Sequence, residues 1–86
     1  MLYLIDKQHG KMGFDFARRD SEAIIVLIQD GVYFTAGELP EGAEVYAVKE
    51  DVEKRAIGKR LGDKVKLVEY PELVDLLMDN RVINFA

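Results

Sequence analysis

The chain has 86 residues, 49% hydrophobic and 33% charged, with a formal net charge of −4 and no cysteine. One small domain spanning 1–86 is expected, with too little positive charge to grip nucleic acid directly. The missing thiols exclude disulfides, thiolate metal sites and any persulfide carried by this chain itself.

The first apolar run, Leu2–Ile5, reads as a strand beginning almost at Met1. No signal peptide precedes it, and no apolar run is long enough to span a membrane, so a cytoplasmic domain without membrane contact is expected. The following segment, DKQHGKMGFDFARRDSE, has room for about two helical turns around Met12 to Arg19. His9 reads there as a solvated loop histidine, because the further nitrogen or sulfur ligands of a metal site are lacking. Gly10-Lys11-Met12-Gly13 lacks the earlier glycine and the Ser or Thr of a phosphate loop. No GxGxxG follows the strand, so dinucleotide binding is unsupported.

Ala23–Ile28 is an unbroken apolar run, the pattern of a strand covered on both faces. Gln29, Asp30 and Gly31 stop it at its carboxyl end, where open α/β sheets place their working residues. Asp30 has two readings. Asp-Gly is a turn signal, but a turn alone does not need the preceding Gln. The next segment, GVYFTAGELPEG, allows about one turn before Pro40 breaks it. Two such short connections cover a sheet face poorly. Phe14, Phe16, Tyr33 and Phe34 are therefore expected to leave aromatic surface for a partner, which predicts an obligate oligomer.

Ala43–Val48 reads as the third strand. A helix is expected from Asp51 through DVEKRAIGKRL, with Asp51 as N-cap, Gly58 weakening it and Gly62 ending it. Glu50 faces Lys54 and Asp51 faces Arg55 at i,i+4. After a strand at Val65–Val68, Pro71 opens a second helix at its first position. Leu73, Val74, Leu76, Leu77 and Met78 form its apolar side, Glu72, Asp75 and Asp79 the other, and Asn80 is a left-handed stop. Val82–Phe85 closes the chain as the fifth strand.

Connections too long for hairpins imply crossovers. The fold class is α/β, a three-layer α/β/α sandwich around a mainly parallel five-stranded sheet. Parallel strands would gather Asp6, Gln29, Asp30, Lys49, Glu50, Asp51, Glu69 and Tyr70 on one edge. Helix capping accounts for Glu50, Asp51 and Glu69. Ser21 and Thr35 are the only hydroxyls besides tyrosine, so a nucleophilic triad lacks its parts. No catalytic residue, metal set or cofactor motif emerges. The candidate interface or binding residues are Gln29, Asp30, Gly31, Tyr33, Phe34 and Phe14.

The order of signals resembles the DsrH/TusB family of sulfur-relay subunits. The matching features are the MLYLI strand, IIVLIQDGVY, VYAVKEDVEKRAIG, and VKLVEYPELVDLL before a short last strand. The family's pattern falls on Gln29, Asp30, Gly31 and Val32, then on Asp51 with Arg55 and Ala56, then on Tyr70. The resemblance covers nearly the whole chain and implies a DsrEFH-like fold and a non-catalytic role. It further implies DsrE/TusD-like and DsrF/TusC-like partner subunits that pass persulfide sulfur, in the Tus branch towards 2-thiouridine at the tRNA wobble position. Some DsrH members carry a cysteine in the first crossover; its absence here fits the Tus type. The short crossovers, Ala56 in place of the usual glycine and Phe85 in place of a frequent tryptophan depart from the pattern. They leave open a free-standing homodimer that binds a small ligand or regulates a partner.

Overall fold

A computed structural model of the chain describes residues 1–56 and 64–86. Five strands, β1 (Leu2–Ile5), β2 (Ile24–Leu27), β3 (Glu44–Val48), β4 (Val65–Val68) and β5 (Val82–Phe85), form one sheet in the order β4-β3-β2-β1-β5. Every pairing is parallel; Leu4 lies opposite Val26 on one side and Asn84 on the other. Three successive crossovers step from β1 to β4 in one direction, and the fourth returns across the sheet to β5. With right-handed connections, this order puts the first three crossovers on one face and the last on the other.

The core divides accordingly. On the first face, α1 (Gly10–Ala17), two 3-10 turns (Gln29–Tyr33 and Ala36–Glu38) and α2 (Lys49–Lys54) cover Tyr3, Ile5, Ile25, Leu27, Val45 and Ala47. On the second, among the described residues, α3 (Tyr70–Asp79) alone covers Leu2, Val26, Val48 and Val68 through Leu73, with Leu76 and Leu77 beside it. Successive residues of β1 and β2 alternate between the two clusters, and both are apolar. This explains the unbroken run in β2.

The two short crossovers bury more than their sequence suggests. Phe14 is only 4% exposed and meets Phe34 edge to face, with ring centroids 4.8 Å apart. Phe14 thus belongs to the chain's own core and offers no surface to a partner, which corrects that part of the interface expectation. Phe34 is half-buried beside it, whereas Phe16 and Tyr33 remain exposed. Two glycines make this closeness possible. A Cβ at Gly10 would collide with the Phe34 ring, and one at Gly13 would lie 2.7 Å from Ile5 Cδ1. The GKMG step is a packing device.

Helix ends differ from the sequence expectation in four places. The second helix starts at Lys49 with Val48 as N-cap, so Asp51 is already inside its first turn. It closes at Lys54; Gly58 and Gly62, expected to weaken and end it, lie outside the described residues. The third helix starts one residue earlier than expected, with Glu69 as N-cap in a reciprocal capping box with Glu72. Asn80 is extended (φ −132°), and it ends the helix through its side chain, whose Nδ2 donates to the Leu76 carbonyl at 2.9 Å.

Candidate functional site

The site begins where β2 stops. Ile28 is extended, and Gln29 then takes a left-handed backbone with φ 51°. For a residue with a side chain this conformation costs about 1 kcal/mol or more. The turn closes with Gly31 N–H donating to Ile28 O at 2.8 Å and Phe34 N–H donating to Gly31 O at 3.1 Å. Gly31 is required by space. A Cβ there would strike the Ile5 carbonyl oxygen and lie 3.1 Å from Asp6 Cα.

The strained turn is held by α2. Asp51 Oδ2 accepts the Gln29 backbone N–H at 2.9 Å. One turn on, Arg55 Nε donates to Asp30 Oδ1 at 2.9 Å, and its Nη1 donates to the Asp51 carbonyl at 3.1 Å. Arg55 Nη1 also lies 3.6 Å from Asp51 Oδ1. Asp51 and Arg55 are mostly buried, at 13% and 20% side-chain exposure, whereas Asp30 is 64% exposed. Burial strengthens the inner contacts, and the outer Asp30–Arg55 pair is solvent-screened. Asp51 therefore does not cap its own helix, as its sequence position suggested. It fixes the turn after β2.

Beside this clamp lies an open cleft of about 550 Å³. Its floor is apolar, from Leu4, Ile28, Val48, Leu73 and Leu77; its rim carries Gln29, Asp30, Asp51, Lys54, Arg55 and Tyr70. The position follows from the topology. β3 leads into α2 on one face and β4 into α3 on the other, so the chain parts at the carboxyl edge there.

The other strand-end groups have local roles. Asp6 Oδ1 accepts the His9 backbone N–H at 2.9 Å, with His9 Nδ1 at the same distance. Partial burial pulls the Asp6 carboxyl up, but the His9 contacts and the Gln8 N–H outweigh it and hold it below the ordinary aspartate value. His9, read as a solvated loop residue, is half-exposed and tied to Asp6. Glu69 pairs with Lys49 Nζ at 3.4 Å. Among the described residues, no three His, Asp or Glu side chains approach closely enough to hold a metal ion.

Of the residues singled out from sequence, Gln29, Asp30 and Gly31 form the turn itself, and Tyr33 lies against it with its ring 5.9 Å from the Arg55 guanidinium. Phe14, on the buried side of α1, and Phe34, against which it packs, are packing residues. The candidate set lacked Asp51, Lys54, Arg55 and Tyr70. Three of these, Asp51, Arg55 and Tyr70, are positions that the family resemblance had implied.

Fold and site together define a parallel α/β fold with helices on both faces of its sheet and a clamped turn at its carboxyl edge. Residues 14–83 match the family described as DsrH like protein, and the chain belongs to that family. It is similar to the protein TusB of Photorhabdus laumondii, with 32% identity over 88% of this chain and 90% of the relative.

Proposed function

We propose that the chain is a non-catalytic subunit of a sulfur-relay complex, supporting 2-thiouridine formation at the tRNA wobble position in the cytoplasm. Its partners on this reading are DsrE/TusD-like and DsrF/TusC-like subunits, which carry the persulfide. The supporting observation is convergence. Of the eight residues on which the family pattern falls, five, Gln29, Asp30, Asp51, Arg55 and Tyr70, line one cleft rim. A rim of hydrogen-bonded polar groups around an apolar floor, in a chain without a thiol, suits holding a partner's segment more than performing transfer.

The test is a reconstituted relay in which sulfur arriving on the acceptor is followed with and without this chain. Omission should slow transfer, and Asp30→Ala should slow it or weaken assembly. Transfer at the same rate without the chain would refute the reading. The size of the cleft favours, as a second reading, a homodimeric module that binds a small ligand there.

A further inference from the structure

The turn after β2 holds Asp30–Gly31, the chain's only Asp-Gly step, and the chain has no Asn-Gly. Such a step is chemically exposed, because glycine has no Cβ to shield its backbone nitrogen. That nitrogen can attack the aspartate Cγ. An N–Cγ bond forms, the Cγ–O bond breaks, and the oxygen leaves as water with the amide proton and the carboxyl proton. Water then reopens the five-membered imide. Addition at Cγ restores aspartate, whereas addition at the main-chain carbonyl carbon gives isoaspartate, in which the chain runs through Cβ and Cγ. The mass is unchanged, and no oxidant or further reactant is consumed.

The fold restrains both reacting groups. Gly31 is buried, and its N–H is committed to Ile28 O at 2.8 Å. The Asp30 carboxylate accepts from Arg55 Nε at 2.9 Å. Asp30 also lies inside the 3-10 turn, and closing the imide ring rotates its ψ out of the 3-10 range. Two of the holding bonds come from α2, since Asp51 accepts the Gln29 N–H while Arg55 spans Asp30 and the Asp51 carbonyl. Against them stand an Asp30 side chain that is 64% exposed and the left-handed Gln29, whose strain local opening relieves.

We propose that Asp30 is an isomerisation site, closed to succinimide chemistry while Asp51 and Arg55 clamp the turn and open to it when they let go. Conversion is then a lasting loss of the site. Isoaspartate puts an extra carbon into the main chain beside Gly31, which already lies against the Ile5 carbonyl and Asp6 Cα. Its carboxylate, now attached directly to Cα, is one carbon shorter and loses its reach to Arg55. The chemistry does not depend on the relay reading.

Incubation of the purified chain at neutral pH, followed by electron-transfer fragmentation of the peptide containing Asp30, tests the proposal. That fragmentation breaks the Cα–Cβ bond that isomerisation places in the main chain. In urea, Asp30 should convert as fast as in a short peptide of the same residues, and in the folded chain about tenfold or more slowly. Arg55→Gln should speed conversion in the folded chain up to about fivefold, and Asp51→Ala by more. Asp20–Ser21 is the internal reference for global unfolding, because Asp20 pairs with the α-amino group at the opposite edge of the sheet. Acceleration confined to Asp30 supports the clamp as the barrier. Equal rates in the folded and urea-unfolded chain, clamp variants no faster than the parent, or acceleration shared equally with Asp20 would each overturn it.

Discussion

Gln29 and Asp51 stand 22 positions apart in the chain, and a 2.9 Å hydrogen bond from the Gln29 backbone N–H to Asp51 Oδ2 joins the turn after β2 to the helix after β3. That bond stabilises a left-handed backbone at a residue that is not glycine. Asp51→Ala leaves the N–H without this acceptor, and loss of about 1–2 kcal/mol of stability is expected. Urea unfolding of the variant measures it. The double variant with Gln29→Gly should lose less, since glycine accepts the conformation freely.

Gly31 allows no side chain. Its hypothetical Cβ meets backbone at the end of β1, which cannot swing aside as a side-chain tip can. Gly31→Ala should destabilise the fold by about 1–3 kcal/mol, read as a lower urea midpoint. An unchanged midpoint would show that the turn sits further from β1.

Ala56 also has a left-handed backbone, with φ 51°. The resemblance places a glycine at this position, and the backbone supplies a physical reason for it. Ala56→Gly relieves the steric cost but frees the unfolded chain, so a net gain of a few tenths to about 1 kcal/mol is expected. Thermal unfolding should show a higher Tm.

How legible these features were depended on whether they are local. All five strands were readable because each is a short apolar run bounded by charge, Gly or Pro, and the runs at Leu2–Ile5, Val65–Val68 and Val82–Phe85 coincide with observed strands. The Gln-Asp-Gly step announced a turn at the working edge. Its clamp was less legible. Asp51 looks like an N-cap locally, and only the placement of β3 beside β2 turns its carboxylate toward Gln29. Phe14 and Phe34 looked like exposed aromatics because nothing local shows that Gly10 and Gly13 let α1 settle so closely.

At the alkaline end, the Tyr46 hydroxyl donates to Glu44 Oε1. That bond, then burial and the charges of Glu44 and Glu72, push the phenol up to about 12 from an ordinary 10.0. The folded value lies above the unfolded one, so the stabilisation is complete below pH 10 and lost as pH rises towards 12. Tyr46→Phe should flatten the decline of stability in that window. A decline of the same slope in the variant would assign it to other groups.

At the acid end, Asp6 and Asp20 are both held below the ordinary 3.8. In Asp6, burial acts upward and the His9 contacts overcome it; in Asp20, the Glu22 N–H acts first, followed by the α-amino group. Their folded values are depressed, so their stabilisation is present above that ordinary value and lost as pH falls below it. Asp6→Asn and Asp20→Asn should each flatten the acid limb of a stability profile below pH 3.8.

The central claim, that this chain acts inside a sulfur relay, is tested most directly by tagging it in its own host, purifying it gently and weighing the intact complexes by native mass spectrometry. The account predicts recovery together with cysteine-bearing DsrE-like and DsrF-like chains. Recovery only with further copies of itself would contradict the relay role and turn attention to a small ligand in the cleft.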